Sequence, residues 1–153
     1  MLGRVADMSV EIERVGEADG ELVAAFARLL PQLSGAKPPL DHEALARLLA
    51  CDANTVLAAR VDGEIVGTLT LVIFPVPTGL RARIEDVVVD RAARGHGVGA
   101  ALTEEALRLA ERAGAHTVDL TSNPERQAAN RLYQRLGFRP RETEVYRYTI
   151  GDA

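Results

Sequence analysis

The chain has 153 residues, 47% of them hydrophobic and 26% charged, which leads to the expectation of one globular domain over 1–153 with residues 1–7 as a disordered tail. A net charge of -4 argues against general affinity for nucleic acid. No apolar run nears the roughly 20 residues that cross a bilayer and the start MLGRVADMSVEIE lacks a secretory core, so the expected setting is cytoplasmic, away from membranes.

Val10 and its neighbours in MSVEIERV (8–15) alternate apolar and polar, the period of a half-buried strand. The next run places Leu22, Val23, Phe26, Leu29 and Leu30 on one helical stripe, which Pro31 is expected to stop. After the turn-like SGAKPP, Asp41 is suited to cap a second helix with Leu45, Leu48 and Leu49 inward, and Cys51 reads as a plain helix-end residue. Two β-rich runs then flank Asp62-Gly63, a dipeptide that favours a tight hairpin. The segment PVPTGL (75–80) reads as a loop, and ARIEDVVVD (82–90) as a further strand on which Glu85 and Asp86 fall on opposite faces.

A glycine-rich stretch, Arg94-Gly95-His96-Gly97-Val98-Gly99, leads into a helix carrying Val98, Ala101, Leu102, Ala106, Leu109 and Ala113 at helical spacing, closed by Gly114. The strand HTVDLTS (116–122) follows. Another helix, from about Pro124, turns Ala128, Ala129, Leu132 and Leu136 inward and ends at Gly137, and TEVYRYTI (143–150) alternates as a last strand, with one more short strand near Phe138 allowed for. The order β-α-α-β-β-β-α-β-α-β implies an α/β (α+β) fold, a mixed and mostly antiparallel sheet flanked by helices.

The glycine stretch lies between a strand and a helix N-terminus, where free N–H groups and the helix dipole favour a phosphate. Glycines at 95, 97 and 99 remove the Cβ atoms that would hold a diphosphate off the backbone, and Arg94 adds a guanidinium. Gly95, Gly97 and Ala100 also satisfy G-x-G-x-x-A with Asp119 about 20 residues on, a dinucleotide pattern. Against it, Asp90 to Ala93 separate strand from glycines, and the thirty or so residues after Leu120 are too few for a second nucleotide-binding half. A triphosphate P-loop lacks its Gly-Lys-Ser/Thr. One cysteine excludes an internal disulfide, and His42, His96 and His116 have no zinc-like spacing, so no metal is expected.

V-V-V-D-R-A-A-R-G-H-G-V-G-A-A-L resembles the signature of the GCN5-related N-acetyltransferase (GNAT) family, Arg/Gln-x-x-Gly-x-Gly/Ala after a strand. Downstream, N-P-E-R-Q-A-A-N-R-L-Y-Q-R-L-G-F is similar to the family's second marker, with Tyr133, Gly137 and Phe138 in place. The resemblance covers Val56 to Phe138 well and the first fifty residues more loosely. It implies an acyltransferase that takes acetyl from acetyl-coenzyme A to a primary amine by direct attack. The pantetheine arm would pair with the backbone of Val87, Val88 and Val89, and the diphosphate would lie on Arg94, Gly95, His96, Gly97, Val98, Gly99 and Ala100. An N–H near Val87 or Val88 would stabilise the oxyanion.

The resemblance also supplies proton carriers: Tyr133 as the acid beside the departing thiolate, and Glu85 as the base, since I-E-D-V-V-V-D resembles the strand of glucosamine-phosphate-type members. Other members place the acid two residues earlier, where this chain has Arg83. Asn123 and Asn130 stand as cofactor contacts or as helix caps and surface amides. The acceptor, a small molecule or a peptide amine, is left open, with a homodimer as one expected assembly. A non-catalytic acyl-coenzyme A sensor is the alternative from another class. Leu30–Leu49 and Phe74–Arg83 are the segments where an acceptor pocket is expected.

Overall fold

The computed structural model describes residues 9–34 and 39–151. The tail expected over 1–7 lies outside them, as does most of the SGAKPP turn. By internal contacts the chain divides into two compact units, one up to Thr121 and one from Ser122 onward. Among the described residues no helix is long and apolar enough to cross a membrane.

The first unit holds a five-stranded sheet in the order β1-β2-β3-β4-β5. Its strands are β1 (Val10–Arg14), β2 (Asn54–Val61), β3 (Glu64–Val76), β4 (Gly79–Val89) and β5 (Thr117–Asp119). The first four run antiparallel in sequence, and β5 joins β4 in parallel. The Asp62-Gly63 dipeptide makes the expected turn, with φ of 51° and 82° at its two residues. The anticipated loop PVPTGL instead continues the ladder: Pro75 pairs with Leu80 and Val76 with Gly79, which leaves only Pro77 and Thr78 in the turn. Proline is tolerated there because a hairpin end needs few ladder donors.

Helix α1 (Gly20–Ser34) and helix α2 (His42–Ala50) precede most of the sheet. The expectation that Pro31 ends α1 is corrected, since the helix runs on to Ser34. Pro31 and Ala27, whose carbonyl loses its amide partner, are both exposed, so water satisfies the broken bond. Asp41 caps α2, its Oδ1 accepting from the Ala44 N–H at 2.8 Å, and Cys51 is the exposed residue at its end.

Residues opposite each other across a ladder share a face, so the register sorts the core into two layers. Val56, Ala58 and Val88 cluster with Leu22, Phe26 and Leu29 of α1 and Leu45 of α2. On the other face, in the set that contains Leu57, Leu69, Leu71, Ala82 and Ile84, lies helix α3 (Val98–Ala113), which buries Val98, Leu102, Thr103, Ala106 and Ala110. Gly67 sets the closest approach of α3, because a Cβ there would stand 3.0 Å from Val98 Cγ1 and 3.2 Å from the Val88 carbonyl oxygen. Arg60 ties the opposite layer down, bonding Glu13 on β1 and Glu21 on α1, each at 2.7 Å.

The second unit contains α4 (Gln127–Arg135), which turns Tyr133 inward and leaves Ala128 exposed, contrary to the inward face expected. Gly137 follows at φ 106°. The strand expected over 143–150 and the short one near Phe138 form no ladder among the described residues.

Replacing Gly67 by Val should lower unfolding free energy by about 1–3 kcal/mol through overpacking against α3. Urea titration checks this, with an unchanged m-value expected for a loss confined to the native state.

Candidate functional site

Strand β4 carries two irregularities that coincide. Thr70 pairs with Glu85 and Thr68 with Val88, so Leu69 on β3 faces two residues, Asp86 and Val87, neither of which has a Cα partner on β3. This is a bulge, and Asp86 sits in it at φ 49°, a left-handed conformation that Asp tolerates better than most residues. On the other edge β5 pairs only with Arg81, Ala82 and Arg83. From Ile84 to Val89 that edge has no strand partner among the described residues, and the sheet is open there.

The bulge corrects the simple alternation expected of Glu85 and Asp86. Ile84 shares a face with Leu71, whereas Val88 shares one with Thr68 and joins the α1 and α2 cluster. The pleat has changed phase within four residues, and Glu85 and Asp86 are both exposed. Glu85 Oε2 accepts from Arg83 Nε at 3.0 Å, so the acid expected as base is paired with the arginine that occupies the alternative acid position.

Beyond Val89, Asp90 Oδ1 accepts from the Ala92 N–H and caps a single 3-10 turn, Arg91–Ala93. Gly95 and Gly97 follow at φ 85° and 80°, and a Cβ at either would meet nothing within 4 Å, so the space over the loop is open. Gly97 is the N-cap of the 16-residue α3, whose first intrahelical bond runs from the Ala101 N–H to the Gly97 carbonyl at 3.0 Å. The N–H groups of Val98, Gly99 and Ala100 therefore lack helical acceptors and meet the positive end of the helix dipole. Arg94 Nε reaches the Val89 carbonyl at 3.4 Å, which folds its exposed guanidinium back along the loop, and His96 is exposed. Backbone donors, open space and an arginine at one helix N-terminus fit a diphosphate.

Two residues of α1 that sequence reasoning missed hold this loop from behind. Gln32 Oε1 accepts from the Arg91 N–H at 2.9 Å, and Arg28 donates to the Ile65 carbonyl at 2.6 Å while its Nε lies 3.6 Å from Asp90 Oδ2. Nothing in local sequence marks them, because the contact joins residues 59 apart.

The remaining expected residues belong to the second unit. Tyr133 is 7% exposed, and its ring meets Phe138 edge-on with centroids 5.7 Å apart. Burial pushes the phenol above its ordinary range, opposed by the positive charge of Arg126, so the hydroxyl keeps its proton. Asn123 makes a side-chain turn ahead of α4, its Oδ1 accepting from the Glu125 N–H at 2.8 Å, and its backbone carbonyl accepts from Asn130 Nδ2 at 3.0 Å. The two asparagines thus brace the start of α4. Among the described residues no group of three or more His, Cys, Asp or Glu side chains could hold a metal.

The model of the Acetyltransferase (GNAT) family matches residues 21–138. The glucosamine 6-phosphate N-acetyltransferase of Trypanosoma brucei brucei is 32% identical over 146 residues, covering 90% of this chain and 95% of that protein. Among solved structures, an acetyltransferase of Trypanosoma brucei aligns at TM-score 0.76 and 27% identity, over 92% of this chain and 100% of its own. A transcriptional regulator from Bacillus halodurans C-125 aligns at TM-score 0.76 and 29% identity, with coverage of 92% and 100%.

Two measurements follow from this geometry. Asp86→Gly should keep or raise stability, whereas Asp86→Val should lower it by about 1–2 kcal/mol for the left-handed backbone, as read by thermal unfolding. The raised phenol of Tyr133 acts at alkaline pH: native protein keeps the proton while the unfolded chain loses it near the ordinary value of 10.0, so stability falls as pH rises past that point. In Tyr133→Phe this part of the alkaline decline should vanish, which denaturation at a series of pH values tests.

Proposed function

The chain belongs to the GNAT acetyltransferase family and is an N-acetyltransferase, and we propose that it moves the acetyl group of acetyl-coenzyme A to a primary amine by direct attack. One observation carries the cosubstrate: the open glycine cradle at the N-terminus of α3 is joined, through one 3-10 turn, to a strand whose bulged outer edge is unpaired. The cradle offers N–H groups to a diphosphate, and the free edge from Ile84 to Val89 offers a ladder to the amide-bearing pantetheine arm. Acetyl-coenzyme A supplies an activated thioester carbonyl.

The chain's own groups then have distinct work. The N–H of Val87 or Val88, at the bulge, takes the charge that builds on the carbonyl oxygen, a donor worth about 3 kcal/mol in other acyl-transfer enzymes. Glu85 receives a proton from the acceptor's ammonium group, directly or through water, which leaves the neutral amine to attack, and its pairing with Arg83 Nε orients the carboxylate. Tyr133, held protonated by burial, gives a proton to the leaving thiolate. Asn123 and Asn130 act by bracing α4, which carries that tyrosine. The full chain works as one cytoplasmic acetyltransferase domain.

For the acceptor, an amino sugar 6-phosphate is the reading that the Trypanosoma relative supports, since that protein is named for glucosamine 6-phosphate and is covered over nearly its whole length. The exposed Arg81 on β4, bonded through Nη2 to Thr78 Oγ1 at 2.9 Å, supplies a cation at the end of the strand that bears Glu85.

Titration calorimetry should give acetyl-coenzyme A binding with a micromolar constant, in the usual range of enzyme ligands. A free-thiol release assay over an amine panel should then rank glucosamine 6-phosphate above unphosphorylated glucosamine and above peptide amines. No heat with acetyl-coenzyme A would overturn the enzyme reading. Binding without thiol release for any amine would favour an acyl-coenzyme A sensor. In Tyr133→Phe, kcat should fall about 100-fold or more while cofactor affinity changes little, as expected for loss of a general acid.

A further inference from the structure

Arg28 and Gln32 stand one helical turn apart on a flank of α1, and they reach two consecutive residues just beyond β4. Arg28 Nε lies 3.6 Å from one carboxylate oxygen of Asp90, Oδ2, and the other, Oδ1, accepts from the Ala92 N–H at 3.1 Å. Gln32 Oε1 accepts from the Arg91 N–H at 2.9 Å, while its Nε2 donates to the Arg28 carbonyl at 3.3 Å. A donor on one side and an acceptor on the other allow the glutamine amide one orientation.

The loop has few other ties. From Arg91 to His96 every other hydrogen bond among the described residues stays within residues 89–96: besides the Asp90 cap, the Ala93 N–H donates to the Asp90 carbonyl, the Arg94 N–H to the Arg91 carbonyl and Arg94 Nε to the Val89 carbonyl. Contact with β3 has already ended, with the Asp90 N–H on the Val66 carbonyl at 2.8 Å. Arg91 opens the 3-10 turn, and the first amides of a helical turn have no acceptor inside it. Gln32 takes up that orphan donor and so fixes where the turn starts. From there the chain runs directly into Arg94 and the glycines.

We propose that Gln32 is a positioning residue for the diphosphate: by holding the Arg91 N–H it keeps the glycine cradle in the shape that the anion meets, and Arg28 supports it through Asp90. This role rests on the acetyl-coenzyme A reading of the cradle. Gly95 and Gly97 have positive φ, and a Cβ at either would meet nothing within 4 Å, so packing does not confine them. Their placement comes from the anchored ends, Arg91 on one side and the N-terminus of α3 on the other. A site that is formed for part of the time binds more weakly in proportion to that fraction. The core does not need Gln32, since α1 is seated on the sheet by Leu22, Ala25, Phe26 and Leu29, all buried. Loss of the side chain is therefore felt in binding more than in folding.

Gln32→Met removes the acceptor and keeps the length of the side chain, whereas Gln32→Glu keeps an acceptor oxygen. Thermal unfolding of Gln32→Met should stay close to that of the natural chain. Hydrogen exchange on the ligand-free protein should show residues 91–97 losing protection in Gln32→Met and regaining it in Gln32→Glu. With the amine that the panel ranks first, KM for acetyl-coenzyme A should rise about 3- to 10-fold in Gln32→Met, the factor that one hydrogen bond controls. Its kcat should hold, as expected where binding and not the chemical step is affected. Unchanged exchange over 91–97, an unchanged KM, or protection that Gln32→Glu fails to restore would overturn the positioning role. So would a kcat that falls as far as kcat/KM, or unfolding of Gln32→Met well below the natural chain, which would make the residue catalytic or structural instead. A natural chain that binds no acetyl-coenzyme A would remove the acetyl-transfer reading and this role together, whereas binding that the variant leaves unaltered would remove this role alone.

Discussion

The organisation of the first unit follows from one unmet hydrogen-bonding demand, the outer edge of β4 between Ile84 and Val89. Backbone N–H and C=O groups held away from water are costly unless paired, and most strands meet this by having a neighbour on each side. Here β3 covers one edge throughout, while β5 covers the other for only three residues. The strand is thus central by position and an edge by bonding. The bulge sharpens this, because Asp86 and Val87 have also left the β3 register.

Keeping such an edge open requires the surroundings to be rigid. Gly67 lets α3 press close to the sheet just where β3 faces the end of β4, and α1 closes the opposite face with Leu22, Phe26 and Leu29 around Val88. The loop that leaves β4 is held by side chains from α1: Gln32 takes the Arg91 N–H, and Arg28 stands between Asp90 and the Ile65 carbonyl. The glycine cradle therefore hangs from a fixed point. Its left-handed residues lose less freedom than a loop unsupported at both ends would, and less ordering on binding means tighter binding for the same contacts.

Much of this was legible in the residues. Periodicity gave the apolar faces of α1, α2 and α3, Asp41 announced its cap, and Asp62-Gly63 its turn. The glycine stretch could be read as an open loop at a helix N-terminus before any fold was known, because its pattern lies in six consecutive residues. What escaped was non-local or hinged on one dihedral. Strict alternation holds only while every residue has one partner, so the phase change between Ile84 and Val88 depends on Asp86 adopting φ 49°, which nothing in I-E-D-V-V-V announces. Pro31 misled for the opposite reason: a local rule was overridden because the missing bond faces water. The roles of Gln32 and Arg28 arise from contacts across dozens of residues, which composition and spacing do not encode.

The carboxylate at Glu85 shows why geometry and family pattern have to be weighed together. The family pattern offers two strand positions for an acid, two residues apart, and alternation puts both on one face. In this chain they hold Arg83 and Glu85, on the same face, joined by a bond of 3.0 Å. A cation at one position and an acid at the other form a couple: the arginine holds the carboxylate in place, and both side chains stay partly exposed. The position of that couple is set by ordinary strand alternation and not by the bulge, since Arg83 and Glu85 pair in register with Val72 and Thr70 before Asp86 breaks it.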